Sequence, residues 1–366
     1  MRIALAAAGT AGHIEPALAL ARSLKEVDPS ISCEFIGTSA GLDSALMKES
    51  GFALNPVKKA PFPRKPSPSL FLWPFRFTQS LLQISRALKD CNLVVGFGGY
   101  VCAPTYLVAK MKKIPIVIHE ANTKPGMANN LGRRLGATLT IAFDSTKRIN
   151  SEWSSAELVG MPLRESIRSH AGLSLVEQSK VREEKARDWG FDPLRPIVLV
   201  FGGSQGSRAI NSVISEILPQ TERVGIQIVH ALGSAHSLPA RSENYLPLHY
   251  ISDMAESLIA ADLSISRGGA VTCAELGTLG TFGIIVPLAI GNGEQSFNAR
   301  ELADRAAAII VPESDFTARS LSENFISYVK RAQDYRAKAH APLFPIDAEK
   351  ALGRVVLATL NRGAMR

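Results

Sequence analysis

The chain has 366 residues, 46% hydrophobic and 20% charged, which is long enough for two cores and too apolar for a disordered protein. Its net charge of +8 lies in the first half: residues 1–165 hold 20 Lys/Arg and 12 Asp/Glu, residues 166–366 hold 21 of each. That asymmetry asks for an anionic partner of the first half, while the lack of an ~18-residue apolar run or a cleavage site predicts a cytoplasmic chain without a membrane span.

In chain order, residues 2–7 read as a strand running into Gly9-Thr10-Ala11-Gly12-His13, and Pro16–Lys25 reads as an amphipathic helix. Cys33–Ile36 is the next strand, Leu42–Glu49 a helix, and Leu93–Gly96, Ile116–His119 and Thr138–Ala142 are further strands with helical stretches between. Residues 60–85 break this alternation. A hinge is expected at Val159-Gly160-Met161-Pro162, followed by a charged helix over Val176–Trp189. Strands then recur at 197–201, 226–230, 248–251, 263–266, 283–286 and 308–311, and Glu349–Leu360 is amphipathic. Strand–helix alternation of this kind predicts an α/β protein with doubly wound parallel sheets. The domains are expected at 1–162 and 163–345, with the last helix, 346–366, able to cross back to the first.

Each half has a strand ending in a glycine loop and, later, a strand ending in a glycine pair. The first half has Gly9–Gly12 and Gly96-Phe97-Gly98-Gly99; the second has Gly202-Gly203-Ser204-Gln205-Gly206-Ser207 and Arg267-Gly268-Gly269. Glycines ahead of a helix bring backbone N–H groups to an anion, so both halves look built for a phosphorylated ligand. There is no Gly-Lys-Ser/Thr for a P-loop, and the second strand ends Phe35-Ile36-Gly37-Thr38 without the carboxylate that a dinucleotide ribose requires. His13, at a helix start, is either a capping residue or a base for a substrate hydroxyl. Glu275, in the helix after Gly268-Gly269, is either a helix-dipole group or a ribose ligand, and Gln295 and Asn298 would share a helix face. No Asp-x-Asp pair occurs. Leaving-group charge then falls to backbone N–H groups, helix dipoles and a cation such as Arg164. Cys33, Cys91, Cys102 and Cys273 have no Cys-x-x-Cys spacing and read as free thiols rather than metal ligands.

The ordered set Gly9-Thr10-Ala11-Gly12-His13-x-x-Pro16, Gly96-Phe97-Gly98-Gly99-Tyr100-Val101-x-x-Pro104, His119-Glu120-Ala121-Asn122, Val159–Arg164, Gly202–Gly206 and Gln295-x-x-Asn298-Ala299 resembles the MurG family of peptidoglycan glycosyltransferases, over residues 3 to about 310. The resemblance implies a GT-B fold of two Rossmann-like domains with an interdomain cleft. It implies inverting, metal-independent transfer of N-acetylglucosamine from its UDP form to the undecaprenyl-linked muramyl pentapeptide, with no cofactor. By motif, Thr10, Ala11, Gly12, Asn122, Arg164, Ser204, Ile251, Ala270, Val271, Thr272, Glu275 and Gln295 fall on donor-binding positions. His13 is the first candidate for general base and Glu120 the second. Ala8, Ala11, Ala121 and Glu294 depart from the family pattern, which usually has Gly, Gly, Gln and His or Gln there.

A lipid-borne acceptor gives the irregular segment a reading. Arg64, Lys65, Phe71, Trp73, Phe75 and Arg76 interleave bases with bulky apolar groups, as a docking surface for an anionic membrane would, at the cytoplasmic face of the cell membrane. The alternative is a buried helix over 70–88. No nucleic-acid module accompanies the basic excess. Rival functions are a UDP-N-acetylglucosamine 2-epimerase or another glycosyltransferase of the same fold, and, from a different class, a non-catalytic UDP-sugar-binding scaffold at the membrane.

Overall fold

Two fully parallel sheets organise the computed structural model, which describes residues 1–38, 47–58, 69–203, 205–288, 293–338 and 341–364. The chain divides into one unit of Met1–Arg164 with Asp347–Arg366, and a second of Glu165–Ile346.

The first unit holds β1 (Arg2–Ala6), β2 (Ser32–Gly37), β3 (Ala53–Pro56), β4 (Leu93–Gly96), β5 (Ile116–Glu120), β6 (Thr138–Ile141) and β7 (Glu157–Leu158), in the order β3-β2-β1-β4-β5-β6-β7. Its helices are α1 (Ala11–Val27), α2 (Ser69–Ala87), α3 (Cys102–Met111), α4 (Met127–Arg134) and the last helix of the chain (Ala348–Ala364). Side chains of a strand point alternately to the two faces, so β1 serves two cores. Ile3 and Leu5 pack with Leu20 and Leu24 of α1 and with Leu352, Val355 and Val356 of the last helix. Ala4 and Ala6 face Ile84, Val101, Tyr106 and Trp153. The continuous apolar run at the start of the sequence is the mark of this two-sided burial.

The second unit holds β8 (Ile197–Phe201), β9 (Gln227–Ala231), β10 (Tyr245–Leu248), β11 (Leu263–Ser266), β12 (Phe282–Ile285) and β13 (Ala308–Ile310), in the order β10-β9-β8-β11-β12-β13. Its longer helices are α5 (Leu175–Trp189), α6 (Arg208–Arg223), α7 (Met254–Ala260), α8 (Ala270–Leu279), α9 (Glu294–Ala303) and α10 (Ala318–Arg336); the last helix of the first unit is α11. Ser174 and Glu177 form a reciprocal capping box on α5, and Gly190 ends it in the left-handed conformation, which explains why a polar helix was legible there.

The order reverses between β1 and β4 in one sheet and between β8 and β11 in the other. Loops at the carboxyl ends of strands flanking such a switch point open a crevice, and all the glycine loops lie there.

Several elements differ from the sequence expectation. Helix α1 starts at Ala11 rather than Pro16, so His13 lies inside its first turn, and Pro16, the sixth helical residue, forgoes the one backbone bond an N–H there would make to the Gly12 carbonyl. The strand expected at 248–251 is β10, three residues earlier: Tyr245 and Pro247 are buried whereas His249 and Tyr250 are exposed. Strand β10 is a sheet edge, where proline is tolerated. Strands β3 and β7, both at edges and short, carry too few apolar residues to be seen. The irregular segment includes a 19-residue helix, α2. Of the helix expected over 42–49, residues 42–46 lie outside the described residues. All four cysteines are buried and free. Among the described residues no helix is long and apolar enough to cross a membrane.

Each sheet also buries one neutral histidine. His119 on β5 bonds the Thr140 hydroxyl through Nδ1 at 3.3 Å, and burial pushes its imidazole down to about 3. His230 on β9 donates from Nε2 to Asn211 Oδ1 (3.1 Å) and accepts the Tyr245 hydroxyl at Nδ1 (3.1 Å); burial lowers it to about 4. Both folded values lie below the ordinary 6.5, so the unfolded chain takes up these protons first. Stability is therefore full above about pH 6.5 and falls by about 1.4 kcal/mol per histidine for each unit of pH below it, until the folded values are reached. Urea unfolding between pH 7 and pH 4.5 should show this slope, and His119→Gln and His230→Gln should each flatten it; an unchanged slope in both variants assigns the acid sensitivity elsewhere.

Candidate functional site

In the first unit, Gly9 (φ +96°) turns the chain out of β1 and Thr10 precedes the first turn of α1, leaving the opening N–H groups of the helix at the carboxyl end of the sheet. Thr10 is exposed, and Ala11, Gly12 and His13 are half-buried. His13 Nδ1 lies 3.2 Å from the Ala8 carbonyl and 3.1 Å from Thr10 Oγ1. A carbonyl only accepts, so this contact requires the proton on Nδ1 and puts the basic lone pair on Nε2.

Two glycines make that arrangement possible. A Cβ on Gly98 (φ +102°) would lie 3.0 Å from His13 Nε2, and a Cβ on Gly99 (φ +86°) would lie 2.5 Å from the Ala8 oxygen. The Gly-Gly after β4 thus accommodates both the imidazole and the carbonyl that orients it. Ala8 and Ala11, where the family usually has glycine, do not have positive φ, so their methyl groups cost no backbone strain.

Glu120 ends β5 with 2% exposure and has its oxygens occupied from within the chain. Oε1 accepts Asn122 N (2.9 Å) and Asn122 Nδ2 (3.3 Å); Oε2 accepts Gly126 N and Asn129 Nδ2, both 2.9 Å. Asn129 Oδ1 in turn accepts the buried Tyr106 hydroxyl at 2.8 Å, and a Cβ on Gly96 would lie 1.9 Å from that hydroxyl oxygen. Burial raises the carboxyl above its ordinary range, against the pull of the four donors. This is the geometry of a carboxylate that shapes the loop carrying Asn122. Asn122 and Arg164 are half-buried, and Ala121 is buried.

In the second unit, a cavity of about 510 Å³ opens at the carboxyl ends of β8, β11 and β12. Gly202, Gly203, Gly206, Gly269, Thr272 and Gln295 line it, bringing together residues that are far apart in sequence. Gly206 (φ +78°) leaves no room for a side chain, since its Cβ would lie 1.8 Å from the Leu232 carbonyl. Ser207 caps α6, accepting Ile210 N at 3.4 Å, so the helix N-terminus faces the same space. On α9, Gln295 Oε1 accepts Leu288 N (2.9 Å) and Asn298 Nδ2 donates to the Gly268 carbonyl (3.2 Å), each fixing one wall loop. Glu294 sits at the first position of α9, a favourable place for a carboxylate.

Not every expected residue reaches this cavity. Ala270 and Val271 open α8, and Glu275 lies further along it, 3% exposed and away from the cavity wall. Ile251 is buried in the loop after β10. Ser204 lies outside the described residues.

Arg267 is the cavity residue that sequence reasoning passed over. Its side chain is 12% exposed and is held by the Val286 carbonyl (3.1 Å), Ser207 Oγ (2.7 Å) and the Glu313 carboxylate. A cation directly after a buried strand and before a glycine pair was the available signal.

Two family models match the chain in succession. The glycosyltransferase family 28 N-terminal domain matches residues 3–139 and the family 28 C-terminal domain matches residues 197–352. The UDP-N-acetylglucosamine–N-acetylmuramyl-(pentapeptide) pyrophosphoryl-undecaprenol N-acetylglucosamine transferase of Streptomyces coelicolor is 39% identical over 89% of this chain and 88% of its own length. The protein of the same name from Corynebacterium glutamicum strain ATCC 13032 is 36% identical over 99% of both. The crystal structure of Acinetobacter baumannii MurG superposes with a TM-score of 0.69 at 26% identity, covering 98% of this chain and 99% of that one. A UDP-GlcNAc 2-epimerase from Neisseria meningitidis shares the fold at 13% identity and a TM-score of 0.64. With two switch-point glycine sites on parallel sheets, both family 28 domains and near full-length identity to these transferases, the chain belongs to the MurG family of GT-B glycosyltransferases.

Proposed function

We infer that this chain transfers N-acetylglucosamine from UDP-N-acetylglucosamine to the 4-hydroxyl of the muramyl sugar of undecaprenyl-pyrophosphoryl-muramyl pentapeptide. The observation that carries this is identity of 36–40% to transferases of that reaction over 86–99% of their lengths. The acceptor hydroxyl loses its proton to His13 Nε2 while its oxygen attacks the anomeric carbon. The bond from that carbon to the diphosphate breaks, its electrons leave with UDP, and the configuration inverts in this single displacement. In the second unit the Gly202–Ser207 loop, the start of α6 and Arg267 surround the place proposed for the diphosphate, with the ribose at Glu275 and the uracil near Ile251. Backbone N–H groups and Arg267 meet the charge that develops on the leaving group.

The test is UDP release on addition of a polyprenyl-pyrophosphoryl-muramyl pentapeptide, with none when it is omitted. Turnover of UDP-N-acetylglucosamine alone would make the chain an epimerase, and binding without UDP release would make it a scaffold.

The acceptor's polyprenyl chain also calls for membrane docking through α2. Arg64 and Lys65 lie outside the described residues, and Phe71 and Trp73 belong to the first turns of α2. Phe75 is 66% and Leu82 56% exposed, seven residues apart on one helix face, with Arg76 and Arg86 exposed on the same helix. Phe75→Ser with Leu82→Ser should weaken binding to anionic vesicles by about 10-fold or more, and added salt should weaken the wild type. Both substituted side chains are exposed, so the variant should keep its melting temperature. Unchanged vesicle binding would place the docking face elsewhere.

A further inference from the structure

The diphosphate cavity carries its own counter-ion. Among the described residues lining it, three are charged: Arg208, Arg267 and Glu313. Arg267 is anchored from three sides, and the anchors are unequal. The Val286 carbonyl and Ser207 Oγ belong to the end of β12 and the cap of α6, both fixed parts of the fold. The third anchor, the Glu313 carboxylate, sits in a turn after β13 with its side chain 36% exposed. Turning Glu313 outward hydrates a carboxylate oxygen, Oε2, that is buried against Arg267, which offsets the lost pairing, and the two neutral acceptors still hold the guanidinium in place. A guanidinium presents parallel N–H donors that fit a phosphate as well as a carboxylate.

We propose that Glu313 is an exchangeable internal anion: it neutralises Arg267 in the empty cavity and is displaced when a diphosphate takes its place on the guanidinium. With Glu313 paired, the three charged residues leave the cavity at +1; with Glu313 turned out, Arg208 and Arg267 present +2 to the two phosphates of the donor. The exchange makes Glu313 a tuning residue. It weakens hold on the diphosphate, and it re-covers Arg267 as UDP departs, so the affinity it takes away is returned as faster product release. The inference rests on the reading that this cavity receives the donor diphosphate.

Calorimetric titration of the full chain with UDP and with uridine tests it. Wild type should bind UDP more tightly than uridine; equal affinities, or no UDP binding, would overturn the reading of the cavity itself. Given that preference, Glu313→Gln should tighten UDP by about 3- to 10-fold and leave uridine unchanged, since only the phosphates compete with the carboxylate. Arg267→Gln should weaken UDP by about 10-fold or more, again without effect on uridine. Glu313→Gln that binds UDP as wild type does, or more weakly, overturns the exchange and makes the pair a fixed clamp.

Discussion

His13→Ala lowers kcat by about 10²- to 10⁴-fold while UDP affinity on the second unit stays within about 2-fold of wild type. The expectation rests on a tautomer rather than on the presence of a histidine. The Ala8 carbonyl, 3.2 Å from Nδ1, can only accept, so Nε2 is the atom able to take a proton. His13→Asn, which can still donate toward Ala8 but offers no basic nitrogen, should be as slow as His13→Ala. Gly98→Ala should share the defect, because its methyl would press on the imidazole from 3.0 Å and its φ of +102° suits only glycine. Steady-state rates with saturating donor and lipid acceptor decide the matter. A His13→Ala enzyme keeping more than a third of wild-type kcat excludes the role.

Glu120→Ala should act through the fold. Removing the carboxylate strands two backbone N–H groups and two asparagine amides in a buried loop, a loss of about 3–5 kcal/mol in the stability of the first unit. Glu120→Gln keeps one accepting oxygen and turns an NH₂ toward the donors of the other, so it should be intermediate. The sequence had offered Glu120 as a second candidate base. A base would show the opposite pattern, with kcat falling in Glu120→Gln and the urea midpoint unmoved. Measuring both quantities on the same variant separates the two roles.

What the sequence made legible follows from how local each signal is. Strands β1, β4 and β8 carry continuous apolar runs, and β5 begins with one, because both their faces are covered, and a run of that kind needs no knowledge of the partner. The glycine loops were visible for the same reason, since the positive φ at Gly9, Gly98, Gly99, Gly203 and Gly206 is a property of each residue's own backbone. The start of α1 was misplaced because Gly12 and Pro16 argue against a helix, while the fold supplies the first turn with a role at the end of β1. Arg267, Ser207 and Glu313 were missed as a group because 60 and 46 residues separate the partners, and only the parallel order of β8, β11, β12 and β13 brings them together. The hydrogen-bonding of Glu120 was hidden for a related reason: its four donors come from the next nine residues, in a loop whose shape no periodicity announces.

Helix α11 bears on how the molecule comes into being. Leu352, Val355 and Val356 occupy the same core as Ile3 and Leu5, yet the whole of Glu165–Ile346 is made between them. During synthesis the second unit therefore has all its residues before the first does, and part of one face of the nascent first sheet, covered otherwise only by α1, waits for the apolar side chains of α11. A chain that lacks Asp347–Arg366 should therefore keep a foldable second unit while its first unit becomes protease-sensitive, and supplying that helix as a separate peptide should restore protection.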